Sequence, residues 1–484
     1  MNLKNMMFTS FVMATLAACN KNENTTDELP VENTTIEFKN HSLTPALIKT
    51  MPEFSTIQTY SLFSSEDRFT NSPDFTFGGT ADGSGLIKNI DGTFTFLVNN
   101  EDNFSVSKIT FDKTFKPITG EYVLNSKGSG TRLCSATLAT PEIHGFGPLF
   151  LTCGESDSES LVHKITPTDT KVNAHVPKTI PAFGRWSAEN AVPLSKNAYP
   201  GQTIIMIGDD DNKDYGGQLV MYKSTLGDLN NGKVYVIKRT NNESIETKMT
   251  ENNTYEIEFV EITNIKTNTG LQNNQAAQAA NAIVFGRVED IDWNKTVGKE
   301  REIYFNVTGQ NNTGVNANNS RTKYGRLYRL ELDPINPLKG KLTVMLDGDN
   351  KSGLAKTFQN IDNICVTKNY VYLQEDANGY GDESHDAYIY QYDIAKKTLK
   401  IVFELDHRRN DISNKYLGAK SSKGSWEYGA LIDISDIINK ENTFMLSIQP
   451  HSWEKEDFKG KDGGGLRTDE KQGSQVILIN GLPR

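Results

Sequence analysis

The chain is a succession of short apolar runs broken by turn residues. Among them are "TFTFLVNN", "SKITFDK", "QTIIMIGDDD", "QLVMYKST", "KVYVIKRT", "TYEIEFVEI", "EIYFNVTG", "RLYRLELDP", "KLTVMLDGD", "YVYLQED", "YIYQYDI", "TFMLSIQP" and "QVILINGL". They are rich in Val, Ile, Tyr, Phe and Thr, often alternate with polar residues, and end at Gly, Asn, Asp or Pro, which predicts strands. Several come in close pairs. In "DAYIYQYDIAKKTLKIVFEL" the segment "DIAKK" reads as a hairpin turn. Helical periodicity is scarce, and the sequence predicts short helices only at "NNQAAQAANAIV" and "LIDISDII".

Many antiparallel hairpins without a sharp repeat predict an all-β fold, an irregular β-propeller with a few short helices. No linker divides residues 36–484, which are expected to form one domain. A propeller gathers its functional residues at the mouth of the central channel from loops of several blades. Ligands from such a site are scattered in sequence, so local motifs look weak.

Composition narrows the partners. Of 484 residues, 36% are hydrophobic and 23% charged, which suits a large folded core. The net charge of −10 and the absence of a basic stripe argue against nucleic acid. An acidic protein acting on an anion must create local positive charge, from arginine or from bound metal.

The first residues, "MNLKNMMFTSFVMATLAAC", carry one lysine, a short apolar stretch and small residues before a cysteine. That is the pattern of an export signal over 1–18, with "LAAC" resembling the bacterial lipobox. Cleavage before Cys19 and acylation of Cys19 would anchor the protein to the outer membrane of a bacterial envelope, on its periplasmic or outer face. The polar stretch 19–35 reads as a flexible tether. Three cysteines then remain, Cys134, Cys153 and Cys365. The residues alone favour a Cys134–Cys153 disulfide or inert buried thiols over a metal thiolate.

One stretch concentrates charge between apolar runs: "FGRVEDIDWN", residues 285–294, holds Arg287, Glu289, Asp290 and Asp292. It is either a salt-bridged surface loop or a site for a metal or an anion. The common local signatures are missing: there is no G-x-x-x-x-G-K-[ST], no H-E-x-x-H and no G-x-S-x-G. "GDDDNKDYGG" fails as an EF-hand, because counting from Asp210 puts Tyr215 where glycine belongs and Met221 where glutamate belongs. Seven histidines in the chain speak against a His-rich zinc site, so a metal would rest on carboxylates.

Taken in order, the acid-bearing segments resemble the PhoX-type alkaline phosphatases, a family of secreted, calcium-dependent bacterial enzymes. The segments are "DGTFTFLVNNED", "GTRLCSATLATPEIHGFGPLFLTCGES", "IPAFGRWSAENAV", "IIMIGDDDNKDYGGQLVMYK", "GRVEDIDWN", "FQNIDNI" and "YLQEDANG". The likeness runs from about residue 75 to about residue 455 and rests on the ordered set. The resemblance implies six blades around a centre holding two ferric ions and several calcium ions. It places Cys134 on the family's iron-binding thiolate, and Glu155, Glu189 and Glu289 on carboxylate ligands. It places Arg287 on a phosphate-contacting arginine, and Asp376, Asp209 and Glu101 on acidic positions around the metals. Departures mark a divergent branch: "CGE" lacks the acid before Glu155, Ala188 and Val288 replace a histidine and a proline, and "QPHS" transposes the segment around His451.

The expected function is a metal-dependent phosphomonoesterase, a monomer releasing inorganic phosphate from small phosphate esters at the cell envelope. Phosphodiesters or lactones are the alternative substrates of such a hydrolase. The competing reading is a non-catalytic surface propeller, braced by calcium, that binds a glycan or a protein partner. Retention of both a thiolate and Arg287 favours catalysis, because loop bracing needs neither.

Overall fold

Six strands of this chain line one another in a closed ring, and the rest of the protein radiates from them. In the computed structural model, residues 35–484 are described. The signal segment, Cys19 and the tether up to residue 34 lie outside them. The inner strands are β1 (Ala81–Lys88), β2 (Leu133–Ala139), β3 (Ala188–Pro193), β4 (Val288–Trp293), β5 (Ile361–Val366) and β6 (Glu427–Asp433). Each packs against the next, and β6 returns to β1.

Outside each inner strand the chain runs back and forth as an antiparallel meander. β1 leads to Phe94–Asn100, Ser105–Phe111 and Pro117–Leu124, whereas β2 has only Leu149–Gly154 and Val162–Ile165 beyond it. β3 and β4 belong to one continuous nine-stranded sheet, joined at the rim where Thr254–Ile262 pairs with Lys339–Asp347. By inner strands the propeller has six blades; by continuous sheets it has five, because two blades share an outer edge. The ring is closed by the amino-terminal strand Gln58–Ser64, which pairs with Gln475–Asn480 in the β6 blade. Ile48–Thr50 likewise finishes the β5 blade against Thr398–Leu405.

The predicted runs form these strands, and "DIAKK" is the turn between Tyr388–Asp393 and Thr398–Leu405. Alternation explains the packing: one face of a strand meets the neighbouring blade and the other the next core layer. Phe63, Phe69, Phe77, Phe96 and Phe111, for instance, fill the space between the first and last blades. The helices fit the sequence less closely. Helix α1 (Gly270–Ala279) begins ahead of "NNQAAQAANAIV", since Thr269 and Gln272 form a reciprocal cap at its start. It stops before the apolar "AIV", whose preceding Asn281 is left-handed with φ of 58°. The helix expected at "LIDISDII" forms only in its second half: Leu431–Asp433 ends β6, and α2 (Ser435–Ile438) follows.

Every inner strand carries a register irregularity at the same end. The shifts lie between Ala81 and Ser84, Leu133 and Ala136, Ala188 and Ala191, Val288 and Ile291, Ile361 and Ile364, and Tyr428 and Leu431. A bulge bends its strand and re-aims side chains. Six of them at one level turn acidic and thiol side chains towards the axis. The strands also approach closely there. A Cβ on Gly83 would lie 2.3 Å from the Ala136 nitrogen, and one on Gly429 would lie 2.4 Å from the Ala81 carbonyl oxygen.

Candidate metal centre

The bulged ends of the inner strands deliver one donor each: Asp82, Cys134, Glu189, Glu289 and Asp362 stand within the shifts, and Glu427 opens β6. Their hairpin partners add Glu101, Glu155 and Asp376, each just past the second strand of its blade. Together they form four triads whose ligand atoms lie within 4.8 Å of one another: Asp82–Glu101–Cys134, Cys134–Glu155–Glu189, Glu189–Glu289–Asp362 and Asp362–Asp376–Glu427. Consecutive triads share Cys134, Glu189 and Asp362, so the donors form one unbroken arc around the channel. Glu155, Asp362 and Asp376 are half-buried and the rest buried.

Few basic side chains face this arc. Arg132 lies 3.5 Å from Glu101, 3.1 Å from Asp102 and 4.0 Å from Glu155. His451 Nε2 lies 3.1 Å from Glu427, while its Nδ1 meets Gln472 Oε1 at 2.7 Å. The third is Arg287. Its Nε donates to Asp210 Oδ1 at 2.7 Å and its Nη2 to Asp210 Oδ2 at 3.2 Å, a two-pronged contact, and Nη1 donates to Asn378 at 2.5 Å. Nη2 also stands 2.9 Å from Glu289 Oε1. Arg287 has a left-handed backbone, φ of 75°, which is costly for a residue with a long side chain. Such strain persists only where the surroundings hold it, here the Asp210 and Asn378 contacts of the guanidinium.

The electrostatics follow from crowding. Burial, then the neighbouring acids, holds Asp82, Glu189, Glu289 and Asp362 well above the usual carboxylate range. Glu155 is pushed up to about 8, by burial first and by Asp210 and Glu101 next. Burial and the surrounding carboxylates also raise the Cys134 thiol. Cys134 Sγ donates to Glu155 Oε2 at 2.7 Å. Glu289 Oε1 and Asp362 Oδ1 are buried without any hydrogen-bond donor, the arginine contact to the former being near but misaligned. Buried carboxylate oxygens are normally satisfied. Eight carboxylates and one thiol with so few donors are a set that hard cations would satisfy, with the thiolate as one softer ligand. The residues fit a multi-metal centre.

The structure brings Cys134, Glu155, Glu189, Glu289, Asp376 and Glu101 together, with Arg287 beside them. It does not bring Asp209 there. Asp209 is fully buried and accepts from the Ser187 nitrogen at 3.0 Å; Asp210 faces Arg287 instead. The disulfide expectation is corrected: Cys134, Cys153 and Cys365 are all free. Cys134 turns to the channel, while Cys153 packs with Val162, Trp186 and Val220 in an apolar layer. In "FGRVEDIDWN", Asp290 accepts from the nitrogens of Ile291 and Ile364, and Asp292 from that of Val366, so both tie β4 to β5. Sequence reading missed Asp82, Asp210, Asp362 and Glu427. The segment "FQNIDNI" contained Asp362, but nothing local marks its aspartate as a ligand.

No family model matches the sequence, and no curated protein matches it. Solved structures do share its fold. PhoX from Pseudomonas fluorescens, in complex with vanadate, a transition state analogue, aligns with a TM-score of 0.60 at 14% identity. The alignment covers 92% of this chain and 98% of that one. The PQQ-bound aldose sugar dehydrogenase of Streptomyces coelicolor gives a TM-score of 0.36 at 10% identity, covering 88% of this chain and 98% of that one. Polysaccharide lyase Uly1 gives 0.34 at 9%, covering 93% and 98%. Only the first is high enough to bear on the fold, and the likeness is that of a PhoX-like propeller.

Proposed function

We propose that the channel is the active site of a metal-dependent phosphomonoesterase. The observation that carries the reading is Arg287: a half-buried guanidinium with a left-handed backbone and a two-pronged partner, beside an arc of acids that outnumber their cations. Its setting in a PhoX-like propeller supports the same reading, since that neighbour was solved with vanadate, a transition state analogue. In this proposal Cys134, Glu155, Glu189 and Glu289 hold ferric iron, and Glu101, Asp82, Asp362, Asp376 and Glu427 hold calcium. When bound, such ions supply positive charge and Lewis acidity to the phosphoryl oxygens.

The chain's own residues do the positioning. Asp210 fixes the guanidinium plane of Arg287 through two contacts, Glu289 lies beside it, and Asn378 caps its Nη1. A phosphate entering the channel would take the Nη1 contact from Asn378, a neutral acceptor, and leave the Asp210 pair intact. Arg287 would then steady the equatorial oxygens as their geometry flattens in the displacement. Substrates in this proposal are small phosphate esters, and the protein acts as a monomer at the envelope, held there by lipid on Cys19.

The test is hydrolysis of p-nitrophenyl phosphate by purified protein, with and without chelator, alongside iron and calcium analysis. The reading expects chelator-sensitive turnover and bound iron with visible thiolate-to-iron absorption. Fully active protein without iron would remove the iron assignment, and metal-loaded protein without turnover would remove the enzyme reading.

A further inference from the structure

The run Asp209–Asp210–Asp211 closes a strand and sends its side chains in different directions. Asp210 reaches Arg287. Asp209 does not face the channel: its Oδ1 accepts from the Ser187 nitrogen, and its Oδ2 is buried with no donor. Across the hairpin Gly208 pairs with Leu219, so Gln218 stands opposite Asp209 and on the same face of the sheet. Gln218 is 2% exposed; its Nε2 lies 3.4 Å from the carbonyls of Tyr215 and Gly216, which leaves Oε1 without a donor.

Helix α1 closes the other side. Asn274, 3% exposed, donates from Nδ2 to Asp211 Oδ2 at 3.1 Å, and its own Oδ1 has no donor. Asp211 Oδ1 accepts from the Lys213 nitrogen at 2.7 Å. Three buried acceptor oxygens, on Asp209, Gln218 and Asn274, therefore lack a donor around two aspartates. A buried acceptor left so is costly, and folded proteins rarely carry one. Flipping either amide does not help, because it would turn an oxygen towards backbone carbonyls or towards Asp211. A proton on Asp209 Oδ2 would satisfy that oxygen and one acceptor such as Gln218 Oε1, and would still leave Asn274 Oδ1 without a donor.

We propose that Asp209, Asp211, Gln218 and Asn274 bind a calcium ion at a site separate from the central arc. Two carboxylates balance a divalent charge, and amide oxygens are ordinary calcium ligands, with water completing the shell. The set contains no sulfur or imidazole, which disfavours a softer metal. The bound ion would brace the strand end whose middle residue, Asp210, holds Arg287. The site does not depend on what reaction the channel performs.

Metal content decides it. Wild type, Asp209→Asn, Gln218→Met and Glu289→Gln are equilibrated with calcium, desalted and analysed for metal per chain. Asp209→Asn and Gln218→Met should each carry one calcium fewer than wild type while keeping their iron. Calcium should also raise the melting temperature of these two variants less than that of wild type. Unchanged calcium content in Gln218→Met, which keeps both carboxylates and so spares the fold, would overturn the site in favour of a buried water. Loss confined to Glu289→Gln would do the same while sparing the central centre, and wild type devoid of metal would overturn both.

Discussion

Around Glu246 every carboxylate oxygen has a donor, whereas around Glu189 the acids stand together with too few. Glu246 is as buried as any acid in the channel. Its Oε1 accepts from Tyr328 at 2.9 Å, and its Oε2 from the nitrogens of Gly286 at 2.9 Å and Thr322 at 3.2 Å. Nearby, Arg326 Nη2 donates to Asp347 Oδ2 at 2.7 Å, and the Asp349 nitrogen fills Asp347 Oδ1. Burial raises Glu246, and Arg326 with these donors draws it back. In the channel the neighbours of Glu189 are other acids, which push the same way as burial, and at Glu289 Asp210 and Asp362 do so against Arg287 alone. Burial of charge alone therefore does not mark a functional site. A deficit of donors does, because a folded chain tolerates it only when something else supplies the charge.

The largest expected effect is on catalysis. Glu289→Gln should lower p-nitrophenyl phosphate turnover by about two to three orders of magnitude, the scale of losing one preorganised electrostatic group. The same change should leave the metal-free protein about as stable, since burial and the neighbouring acids already disfavour a charge on Glu289 and Asp210 still pairs with Arg287. Steady-state kinetics and melting of chelated protein together read this. A variant that melts early and keeps its turnover would mean that Glu289 belongs with Glu246, as structure.

Next in size is Arg287→Ala, expected to reduce turnover about a hundredfold while the fold survives. Arg287→Lys should not restore it, because an ammonium cannot grip Asp210 through two prongs and still present a donor to substrate. Recovery by lysine would reduce Arg287 to a bulk charge.

These two predictions rest on residues that sequence could reach unevenly. The strands were legible because alternation and turn residues are local properties, and so was the Tyr388–Leu405 hairpin. Glu155, Glu189 and Glu289 were reached only through the order of resembling segments, since nothing in "CGES" or "SAEN" distinguishes a ligand from a solvated acid. The run "GDDD" shows the limit most clearly. Side chains along a strand alternate, so a shift of one residue changes the face; Asp210, not Asp209, meets Arg287. Asp82, Asp362 and Glu427 stayed hidden for a related reason. Asp82 and Asp362 are aimed by bulges in the inner strands, and Glu427 opens its strand just before one; a bulge is a property of two paired strands rather than of either sequence.

The pH dependence of stability reports chiefly on the channel acids, which are raised well above their usual range, and less on Glu246, which is raised in the same direction. An acid whose folded pKa is raised stabilises the fold fully below its unfolded value, near 4.3 for glutamate, and loses that contribution as pH rises through the folded value. Glu155, pushed up to about 8, and the higher-shifted acids around it should make chelated protein progressively easier to unfold from about pH 5 to pH 9. Restored metal should flatten that slope, because the ionised ring then has its counter-charge. Urea midpoints across this range check it. A chelated protein equally stable at both ends would mean that the arc is already neutralised from within.

The smallest effect belongs to the closed network and serves as its control. Asp347→Asn removes the negative partner of Arg326 but keeps its volume and an acceptor oxygen. Destabilisation of about 1–3 kcal/mol is expected, from a buried guanidinium left with a neutral partner. Turnover at saturating substrate should stay near wild type, because Asp347 contacts Arg326 and the Asp349 nitrogen rather than the channel acids. Added calcium or iron should not recover the lost stability, since no metal answers that charge. Recovery by metal would show the two networks to be one, coupled through Glu246, whose Oε2 holds the Gly286 nitrogen next to Arg287. In that case the arginine's strained backbone would be held from the satisfied side of the protein, and the donor deficit would no longer be sufficient to bound the site.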